Sequence, residues 1–510
     1  MHRVETSILR RALIVGAATL LGACAAVGPE FETPQADLPE TWSKPSQAGL
    51  GYETQALEKW WTVFEDPVLD ALVETAVRNN NTLEIAGLRV LEAQAQLGIA
   101  TGLNYPQVQV AAGEAGYISP PATSSVASNY WQFALGASAS WEIDFWGRFR
   151  RGIESADAAY LASIAAYDQA RVLLTAAVVD VYTIVRLTER QLQIAEENVA
   201  IQQRSYEIAE VLYRNGADSE LDMQQASTLL LSTQATIPGL QVALIQARNA
   251  LSTLLGEPPG TVEARLTEGA GLPVLPDDIA VGIPADLLRR RPDVRQAEYL
   301  AMAQNARVGL AQADLYPSFS LSGSIGVSSN TLGDSDFGDL FSSDALTWSI
   351  GPSFVWPFLN YGRIKNNVRV QDARLQQALV NYRETVLQAA REAEDAMADF
   401  VGTRRQSEIL RQTVESAERS NELATLRYTE GFSDYERVLN AQQALFNQQQ
   451  RYITVQGDII RSVISLYKAL GGGWETREGQ PWIDPETLQT MQERTDWGEL
   501  IPAGDDDRRD

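Results

Sequence analysis

The chain has 510 residues and a formal net charge of −25. This acidic balance argues against nucleic acid as a partner, because phosphate binding requires a basic surface. The only histidine is His2 and the only cysteine is Cys24. Both lie at the N-terminal end, in a segment with the features of an export signal, and this limits the kinds of site that the mature chain can build.

Residues 1–23 are predicted to be a signal peptide. Three arginines form a positively charged start, and the apolar stretch from Ala12 to Gly22 is too short to span a bilayer as a helix. The segment ends in Leu21-Gly22-Ala23-Cys24, which resembles a lipobox, in which the cysteine is acylated and becomes the first residue. A plain signal peptide with an unmodified cysteine is the alternative. By the same resemblance, Ala25 after the cysteine favours sorting to the outer membrane.

Removal of the signal and acylation of Cys24 leave neither an imidazole nor a free thiol. Imidazole catalysis, cysteine nucleophiles, disulfides and His/Cys metal sites are then excluded. A hydrolase would have to use serine with lysine, or paired carboxylates, and no isolated carboxylate pair stands out from the charges of helix surfaces. We therefore expect no enzyme, and no cofactor other than the covalent lipid. No later stretch offers eighteen apolar residues, so no transmembrane helix is expected.

The stretch Pro317–Ser328 alternates in polarity. Serine stands at every second position from Ser318 to Ser324, and apolar residues such as Phe319 and Leu321 fall between. Period-two alternation places the two sets on opposite faces of a strand, as in an outer-membrane barrel. A half-buried strand of a soluble sheet would show the same pattern.

An internal repeat organises the rest of the chain. Tyr105-Pro106 returns as Tyr316-Pro317, 211 residues later, and Tyr213-x-x-Gly216 returns as Tyr428-x-x-Gly431, 215 residues later. Because repeats set the fold, two equivalent halves are expected, each with a helix, a strand pair, a long helix, a turn and a returning helix. The predicted divisions are a signal peptide at 1–23, a leader at 24–65, a first repeat at 66–282 with a strand pair at 104–146 and a helical hairpin at 149–255, a second repeat at 283–470 with a strand pair at 316–358 and a helical hairpin at 363–470, and a C-terminal segment with an acidic tail at 471–510.

The helical hairpins carry an apolar seam with a seven-residue period, which indicates coiled-coil packing. It runs from Leu375 to Phe400, and its equivalent begins at Ile164. Pro238-Gly239 should kink the first returning helix or be absorbed by a neighbour. The predicted helices are Asp66–Leu103, Phe149–Arg214, Glu220–Leu255, Pro284–Leu315, Arg363–Thr429 and Asp434–Leu470.

Two strand pairs give four strands per chain. Four strands cannot close a barrel, and open sheet edges are not tolerated in lipid. Several chains must therefore share one barrel if the strands cross a membrane.

Four motifs give the chain a family resemblance. They are Trp61-x-x-Phe64-x-Asp66-Pro67, the run from Ile283 to Val294, Ala313-Asp-Leu-Tyr-Pro317 and Ala469-Leu-Gly-Gly-Gly-Trp474. Together they resemble the TolC-like outer membrane factors, in the lipoprotein branch that includes NodT. The resemblance implies a mixed α+β membrane protein, mostly α, in which a homotrimer forms a twelve-stranded transmembrane β-barrel and a periplasmic α-barrel of long antiparallel hairpins. It also implies docking on a periplasmic adaptor and an inner-membrane pump.

The same resemblance places the functional residues at the two hairpin turns. Gly216 and Gly431 end the long helices, where glycine best adopts a left-handed conformation. Many relatives carry Asp where Asn440 stands and Arg where Gln443 stands, so an Asp-based constriction is in doubt at that level. A solvated helix end is the alternative for each polar residue. The candidate aperture residues are Asp218, Glu220, Asp222, Asp434, Tyr435, Glu436, Arg437, Asn440 and Gln443.

The implied function is that of an outer-membrane exit duct of a tripartite efflux system, which passively conducts small toxic compounds delivered by the pump. The alternatives are a non-transporting outer-membrane coiled-coil lipoprotein with a structural or adhesive role, and a duct for type I protein secretion. The two matched strand pairs favour a duct, because a spacer does not require barrel strands.

Acylation can be tested directly at Cys24. We expect Cys24→Ala to abolish incorporation of labelled palmitate, because no other thiol is present. The wild-type chain, expressed and labelled in parallel, is the control. Continued labelling of the variant would show that the lipobox interpretation is wrong.

Overall fold

The computed structural model describes residues 26–34, 42, 50–51, 57–121, 128–266, 271–274, 279–280, 290–332, 336–477 and 481–501. These residues group into two compact units. One lies within Met1–Pro34, Val90–Ser163 and Gln296–Tyr382, and the other within Gln35–Arg89, Ile164–Arg295 and Arg383–Asp510. Each unit therefore draws on both halves of the repeated sequence. Cys24 and the predicted signal peptide lie outside the described residues.

Most of the described chain is helical, with four long strands. The elements are α1 (Pro67–Asn79), α2 (Asn81–Gly102), β1 (Val108–Ile118), β2 (Tyr130–Ile143), α3 (Arg148–Arg214), α4 (Glu220–Gln234), α5 (Ile237–Leu254), α6 (Pro292–Ala313), β3 (Ser318–Asn330), β4 (Leu346–Val355), α7 (Arg363–Thr429), α8 (Tyr435–Ala469) and α9 (Pro485–Arg494). Short 3₁₀ turns, one four-residue helical turn at Glu263–Leu266 and a two-residue parallel pair, Leu50–Gly51 with Ile279–Ala280, complete the described elements.

The four strands form one antiparallel sheet in the first unit, in the order β1-β2-β3-β4. The register places Ser138 opposite Ser324, and Ser324 opposite Ser349. The hydroxyls of Ser324 and Ser349 lie 2.9 Å apart, as do those of Ser140 and Ser322. The predicted serine alternation therefore becomes a polar face that continues across three strands.

The opposite face of the sheet is apolar and exposed. Ile325 pairs with Trp348 on this face, and both side chains are largely accessible. The strand β1 departs from the pattern, because Val108 lies opposite Ser140 and Val110 opposite Ser138, on the serine face. The apolar face is thus supplied mainly by β2, β3 and β4.

Residues 26–34 of the leader are fixed to the first unit by a buried arginine. Arg151 donates to the carbonyl of Val27 at 3.2 Å and to the carboxylate of Glu30 at 2.7 Å. Gly28 has a φ of 109°, and a Cβ there would lie 2.4 Å from the Cα of Gly309. Ala26 lies against Gly147, just after β2, at a similarly close approach. The leader can therefore pack this closely because neither Gly28 nor Gly309 has a side chain, and because Gly147 has none where it meets Ala26.

The predicted helix Asp66–Leu103 is two helices in the structure. Asn80 has an extended backbone and separates α1 from α2. Its side-chain oxygen accepts from the amide of Leu83 at 3.0 Å, and its amide donates to the carbonyl of Leu254 at 2.9 Å. Asn80 thus acts as an N-cap, a role that helical periodicity alone does not reveal.

The first returning helix, predicted as Glu220–Leu255, is also interrupted. The break at Ala235–Thr236 precedes Pro238, which lacks an amide donor and clashes with the preceding turn. The stretch Glu220–Leu254 is long and apolar enough to cross a membrane by length and composition, contrary to our expectation. α6 begins at Pro292, and residues 284–289 of the predicted helix Pro284–Leu315 lie outside the described residues.

The motif Trp61-x-x-Phe64-x-Asp66-Pro67 builds the start of α1 in the second unit. One oxygen of Asp66 accepts from the amides of Val68 and Leu69, at 2.9 and 3.2 Å. The other accepts from the hydroxyl of Tyr182 at 2.5 Å, and that hydroxyl accepts from Arg186. Asp66 therefore caps α1 and ties it to the long helix α3.

We expect Asp66→Ala to destabilise the protein by about 1–3 kcal/mol, because it removes a helix cap and leaves a buried Tyr182 hydroxyl without its acceptor. The measurement is the midpoint of thermal unfolding in detergent. Tyr182→Phe, which keeps the cap and removes only the link to α3, should cause the smaller loss. Equal midpoints for wild type and Asp66→Ala would contradict this role.

Candidate functional site at the hairpin tips

Both long helices end in the same backbone motif. Gly216 follows α3 with a φ of 68°, and Gly431 follows α7 with a φ of 75°. At the first tip, the amide of Ala217 donates to the carbonyl of Leu212 at 2.9 Å. At the second, the equivalent bond joins Phe432 and Arg427 at 2.8 Å. Each tip is a Schellman turn, which requires a left-handed residue after the helix and so explains the two glycines.

A small core lies beneath the tips. Ala209, Ala226, Tyr428, Tyr435 and Val438 are buried together, and the rings of Tyr428 and Tyr435 meet edge to face with centroids 5.3 Å apart. This cluster joins the first hairpin to the second within one chain. Its members come from α3, α4, α7 and α8, so every long or returning helix that reaches the tips contributes to it.

Tyr435, which we predicted to line an aperture, belongs to this core. Its side chain is 1% exposed. Burial raises its pKa to about 12, with a further contribution from the charge of Asp222. The phenol is therefore neutral and packs between the hairpins, and its position in the first turn of α8 places it on the buried face of that helix.

A polar network crosses from one hairpin to the other at the same level. The hydroxyl of Tyr428 donates to the carboxylate of Asp218. Asp218 also accepts from the amide of Ser219 at 2.9 Å. The hydroxyl of Ser219 lies 2.9 Å from Asp222 and accepts the Asp222 amide, which makes Ser219 the N-cap of α4. The turn after α3 thus fixes the position of Asp218, which accepts the hydrogen bond from Tyr428.

The two neighbouring carboxyls have pKa values shifted in opposite directions. Burial opposes ionisation of Asp218, but hydrogen bonds from Asp222, Tyr428 and the Ser219 amide outweigh it and lower the pKa of Asp218. Hydrogen bonding to Asp218, together with burial, raises the pKa of Asp222. Burial and the neighbouring Asp218 raise the pKa of Tyr428, which therefore remains a hydrogen-bond donor. Asp218 is the stronger acid of the pair, because it receives more donors.

The remaining candidate residues lie on the surface of the tips. In the single chain Glu220, Glu436, Asn440 and Gln443 are exposed. Glu436, Asn440 and Gln443 follow one another at helical spacings of four and three, so they share a face of α8. Asp434 and Arg437 are exposed and form an ion pair at 3.5 Å. The structure thus separates the exposed polar face of α8 from the half-buried carboxylates of Asp218 and Asp222 and from the buried ring of Tyr435.

Within the described parts of the chain, no group of three or more His, Cys, Asp or Glu residues could hold a metal ion. The exposed face of α8 carries one carboxylate and two amides at the positions discussed above. Such a face can form hydrogen bonds and present charge to a neighbouring molecule.

Comparison with known proteins identifies the family. The model for "Outer membrane efflux protein" matches residues 72–257 and 283–472. The chain belongs to this family. It is therefore an outer-membrane component of an efflux system that extends into the periplasm, and it is not an enzyme. The two matched segments coincide closely with the two repeats seen in the sequence.

Curated relatives and solved structures agree with this assignment. The chain is 31% identical to the solvent efflux pump outer membrane protein SrpC of Pseudomonas putida over 481 residues, which cover 92% of this chain and 99% of the relative. It is 32% identical to nodulation protein T of Rhizobium leguminosarum bv. viciae, with 89% and 92% covered. The solved outer-membrane channel OprN shares 32% identity and a TM-score of 0.81, with 88% and 100% covered.

Two residues of the network were not among the predicted site residues. Tyr428 occurs in the repeated Tyr-x-x-Gly motif, which identified the turn but not the hydroxyl's acceptor. Ser219 lies between the acidic residues, where a Ser-x-x-Asp spacing is an N-cap signature that sequence reasoning could have used. The contact of Tyr428 with Asp218 joins positions 210 residues apart, so no local pattern indicates it.

The opposite pKa shifts of Asp218 and Asp222 predict a pH-dependent tip. Stability from Asp218, whose pKa is lowered, is present above 3.8 and lost as pH falls through its folded pKa. Stability from Asp222, whose pKa is raised, is present below 3.8 and lost as pH rises through its folded pKa. We therefore expect conductance in planar bilayers to rise with pH above 3.8, and Asp222→Asn to abolish that rise because its amide always donates.

Glu220→Gln, which neutralises an exposed carboxyl beside the pair, is the control and should keep the wild-type response. An Asp222→Asn protein whose conductance rises with pH as steeply as that of wild type would contradict the role of Asp222 ionisation.

Proposed function

We propose that three copies of this chain share a twelve-stranded barrel and form the passive exit duct of an efflux system. The supporting observation is the four-stranded sheet. Its outer strands, β1 and β4, each pair on one side only within the described residues. An unpaired edge would leave amides and carbonyls unsatisfied in lipid, so β4 of one copy must meet β1 of the next.

The two faces of the sheet suit such a barrel. The exposed apolar face of β2, β3 and β4 would contact lipid, and the serine face would line an aqueous passage. Serine hydroxyls bond one another across the strands and leave no fixed charge along most of this face. Charge-free polar walls favour the passage of varied solutes, so the pump rather than the duct would select the cargo.

The helical hairpins would continue the duct into the periplasm and end at the aperture. We assign the polar network of Tyr428, Asp218 and Asp222 to holding the tips together. The exposed residues Glu220, Asp434, Glu436, Arg437, Asn440 and Gln443 are assigned to the aperture wall and to contact with a periplasmic adaptor. Gly216 and Gly431 are assigned to the turns that present these residues.

The lipid anchor fits the same arrangement. Residues 26–30 pack at the root of the sheet, where Arg151 and Gly147 hold them. Cys24 precedes Ala26 by two residues, so an acyl chain on its thiol would begin near the end of β2, at the edge of the proposed barrel. We also propose that the divisions 66–282 and 283–470 are the two structural repeats, flanked by segments 24–65 and 471–510.

The cargo is proposed as a class only. Relatives are named for efflux of cations, toluene and other solvents. We propose small toxic compounds delivered by an inner-membrane pump and its adaptor, because the tip residues supply hydrogen bonds and charge without a metal-binding group among the described residues.

Planar-bilayer recording of the purified assembly tests the duct. We expect the wild type to conduct weakly and Tyr428→Phe to raise the conductance roughly tenfold, because loss of a hydrogen bond to a charged group shifts the closed state by about 1.5–3 kcal/mol. Asp434→Ala combined with Glu436→Ala should also raise it, if these carboxylates narrow the aperture.

Tyr435→Phe is the matched control, because this ring belongs to the same core but its hydroxyl is not part of the network. It should conduct like wild type. The assembly should also migrate as a trimer in mild detergent. A stable monomer, or an assembly that stays silent in every variant, would overturn the proposal.

A further inference from the structure

The four strands of the sheet carry very little charge. β1 contains Glu114 and β2 contains Glu142, whereas β3 and β4 contain neither aspartate nor glutamate. None of the four strands contains lysine, arginine or histidine. Any fixed charge on the strands is therefore negative and comes from one of these two glutamates.

Both glutamates lie on the serine face. Glu114 is opposite Ala134, which in turn is opposite Ser328, and Glu142 is opposite Ser320. Ala134 and Glu142 are eight residues apart on β2, and eight residues span about 27 Å along a strand. The two carboxylates are therefore separate features of this face and do not form one acidic cluster.

Glu142 has a counter-charge close by. Nη1 of Arg148 lies 3.4 Å from Oε1 of Glu142, and Nε of the same arginine lies 3.4 Å from the carboxylate of Asp314. Arg148 is the first residue of α3, so this ion pair lies where the strand returns to the helix. The charge of Glu142 is thus balanced at the helical end of the sheet.

Glu114 has no such partner in the part of the chain that the structure describes. Its side chain is exposed, and its carboxylate forms no hydrogen bond or ion pair with the described residues. Its neighbours on the face are small, with Ala112 and Gly116 along β1 and Ala134 and Gly136 on β2. A Cβ built at Gly116 would lie 3.7 Å from Oε1 of Glu114. The carboxylate therefore extends over a position that has no side chain.

Closure of the proposed barrel would not supply a counter-charge either. Glu114 lies on β1, which pairs on one side only within the described residues, so its second neighbour in the assembly would be β4 of another copy. The sequence of β4 has no charged residue. Pairing of β1 with β4 in any register therefore leaves the carboxylate without a cation from that strand.

We propose that Glu114 gives the barrel section of the duct a preference for cations over anions. The inference rests on the proposed shared barrel, in which each copy contributes one Glu114 carboxylate to a ring around the passage, and it adds a specificity-determining residue. Rings of acidic side chains attract cations and repel anions, and a low-dielectric wall strengthens the effect. Cationic and neutral solutes thus pass more readily than organic anions.

A solvated glutamate without effect on permeation is the alternative. Two observations favour a role in permeation. The small neighbours leave the Glu114 carboxylate uncovered on the serine face, and no residue of opposite charge occurs on any of the four strands. Serine hydroxyls carry no net charge, so they cannot offset the field of a carboxylate.

Reversal potentials in a potassium chloride gradient test the preference, with the purified full-length assembly in planar bilayers. We expect potassium to be preferred over chloride in wild type. Glu114→Gln should lower the permeability ratio about threefold, the effect of one charge lost per copy several ångströms from the ion in water. The dilute side is kept at about 0.1 M, where the Debye length is about 10 Å. An unchanged ratio in Glu114→Gln would overturn the inference.

Relocation of the carboxylate provides the matched control. Gln132 is opposite Gly116 on the serine face, diagonally across from Glu114. Adding Gln132→Glu to Glu114→Gln returns one carboxylate to the face at a neighbouring position, and we expect it to restore the preference for potassium. A structural role of the Glu114 side chain would not be rescued in this way, so failure of the rescue would also count against the inference.

Charged thiol reagents give an independent measurement, since Cys24 is the only native cysteine. In Glu114→Cys, a methanethiosulfonate that adds a sulfonate should return the preference for potassium, and one that adds an ammonium should favour chloride. Ala115→Cys is the control, because Ala115 is opposite Phe133 on the apolar face. It should respond to neither reagent. Equal responses at the two positions would contradict a specific effect of the serine face.

The outcomes separate this inference from the proposed function. If the assembly conducts but loss of the carboxylates of Asp434 and Glu436, and not of Glu114, lowers the ratio, the tips determine the preference. The inference is then wrong and the duct stands. If the assembly conducts in no variant, the duct and the preference both fail.

Discussion

The proposed assembly depends on one constraint, the hydrogen-bonding demand of a sheet with open edges. Backbone amides and carbonyls between the four strands are hydrogen-bonded, but those on the outer edges of β1 and β4 have no strand partner among the described residues. The hydrocarbon region of a membrane offers no water to replace such partners. The two faces of the sheet suit a barrel in a membrane, because one carries exposed apolar side chains and the other a run of serines. The proposal of a shared barrel follows from these edges, because another copy can supply the missing partners.

Within the chain, the two repeats meet between α3 and α8, in a contact that we call the intrachain seam. The intrachain seam combines a packed cluster around Ile194 with hydrogen bonds from Asn198 and Gln442. Gln202 lies in the same stretch, 1% exposed, with neither side-chain polar atom hydrogen-bonded. An unsatisfied buried amide weakens the folded seam, because it loses water and gains no partner. Separation of α3 from α8 would rehydrate that amide, so the seam is less costly to open than an apolar one.

The sequence predicted the strands, the long helices and the turns, because each has a local periodic or conformational signature. The serine alternation, the seven-residue seam and the glycines at 216 and 431 are of this kind. The break between α1 and α2 and the burial of Tyr435 were missed. Asn80 stops a helix through a contact with Leu254, and Tyr435 is buried by residues of the other hairpin. The helix break at Asn80 and the burial of Tyr435 both depend on residues distant in sequence. A periodic pattern gives no information about such residues. Trimer formation, the aperture and lipidation remain predictions.

The carboxylate of Asp218 is the acceptor through which the turns of the two hairpins are joined. The carboxylate of Asp218 accepts from the Ser219 amide and from the Tyr428 hydroxyl, so it joins polar groups of both hairpins. A hydrogen bond to an ionised group is stronger than one between neutral groups. Rotation of either side chain would break it. The core beneath, around Tyr435 and Val438, can keep the hairpins packed while that bond breaks. The fold thus separates the apolar contacts that pack the hairpins together from the polar contact that joins their turns.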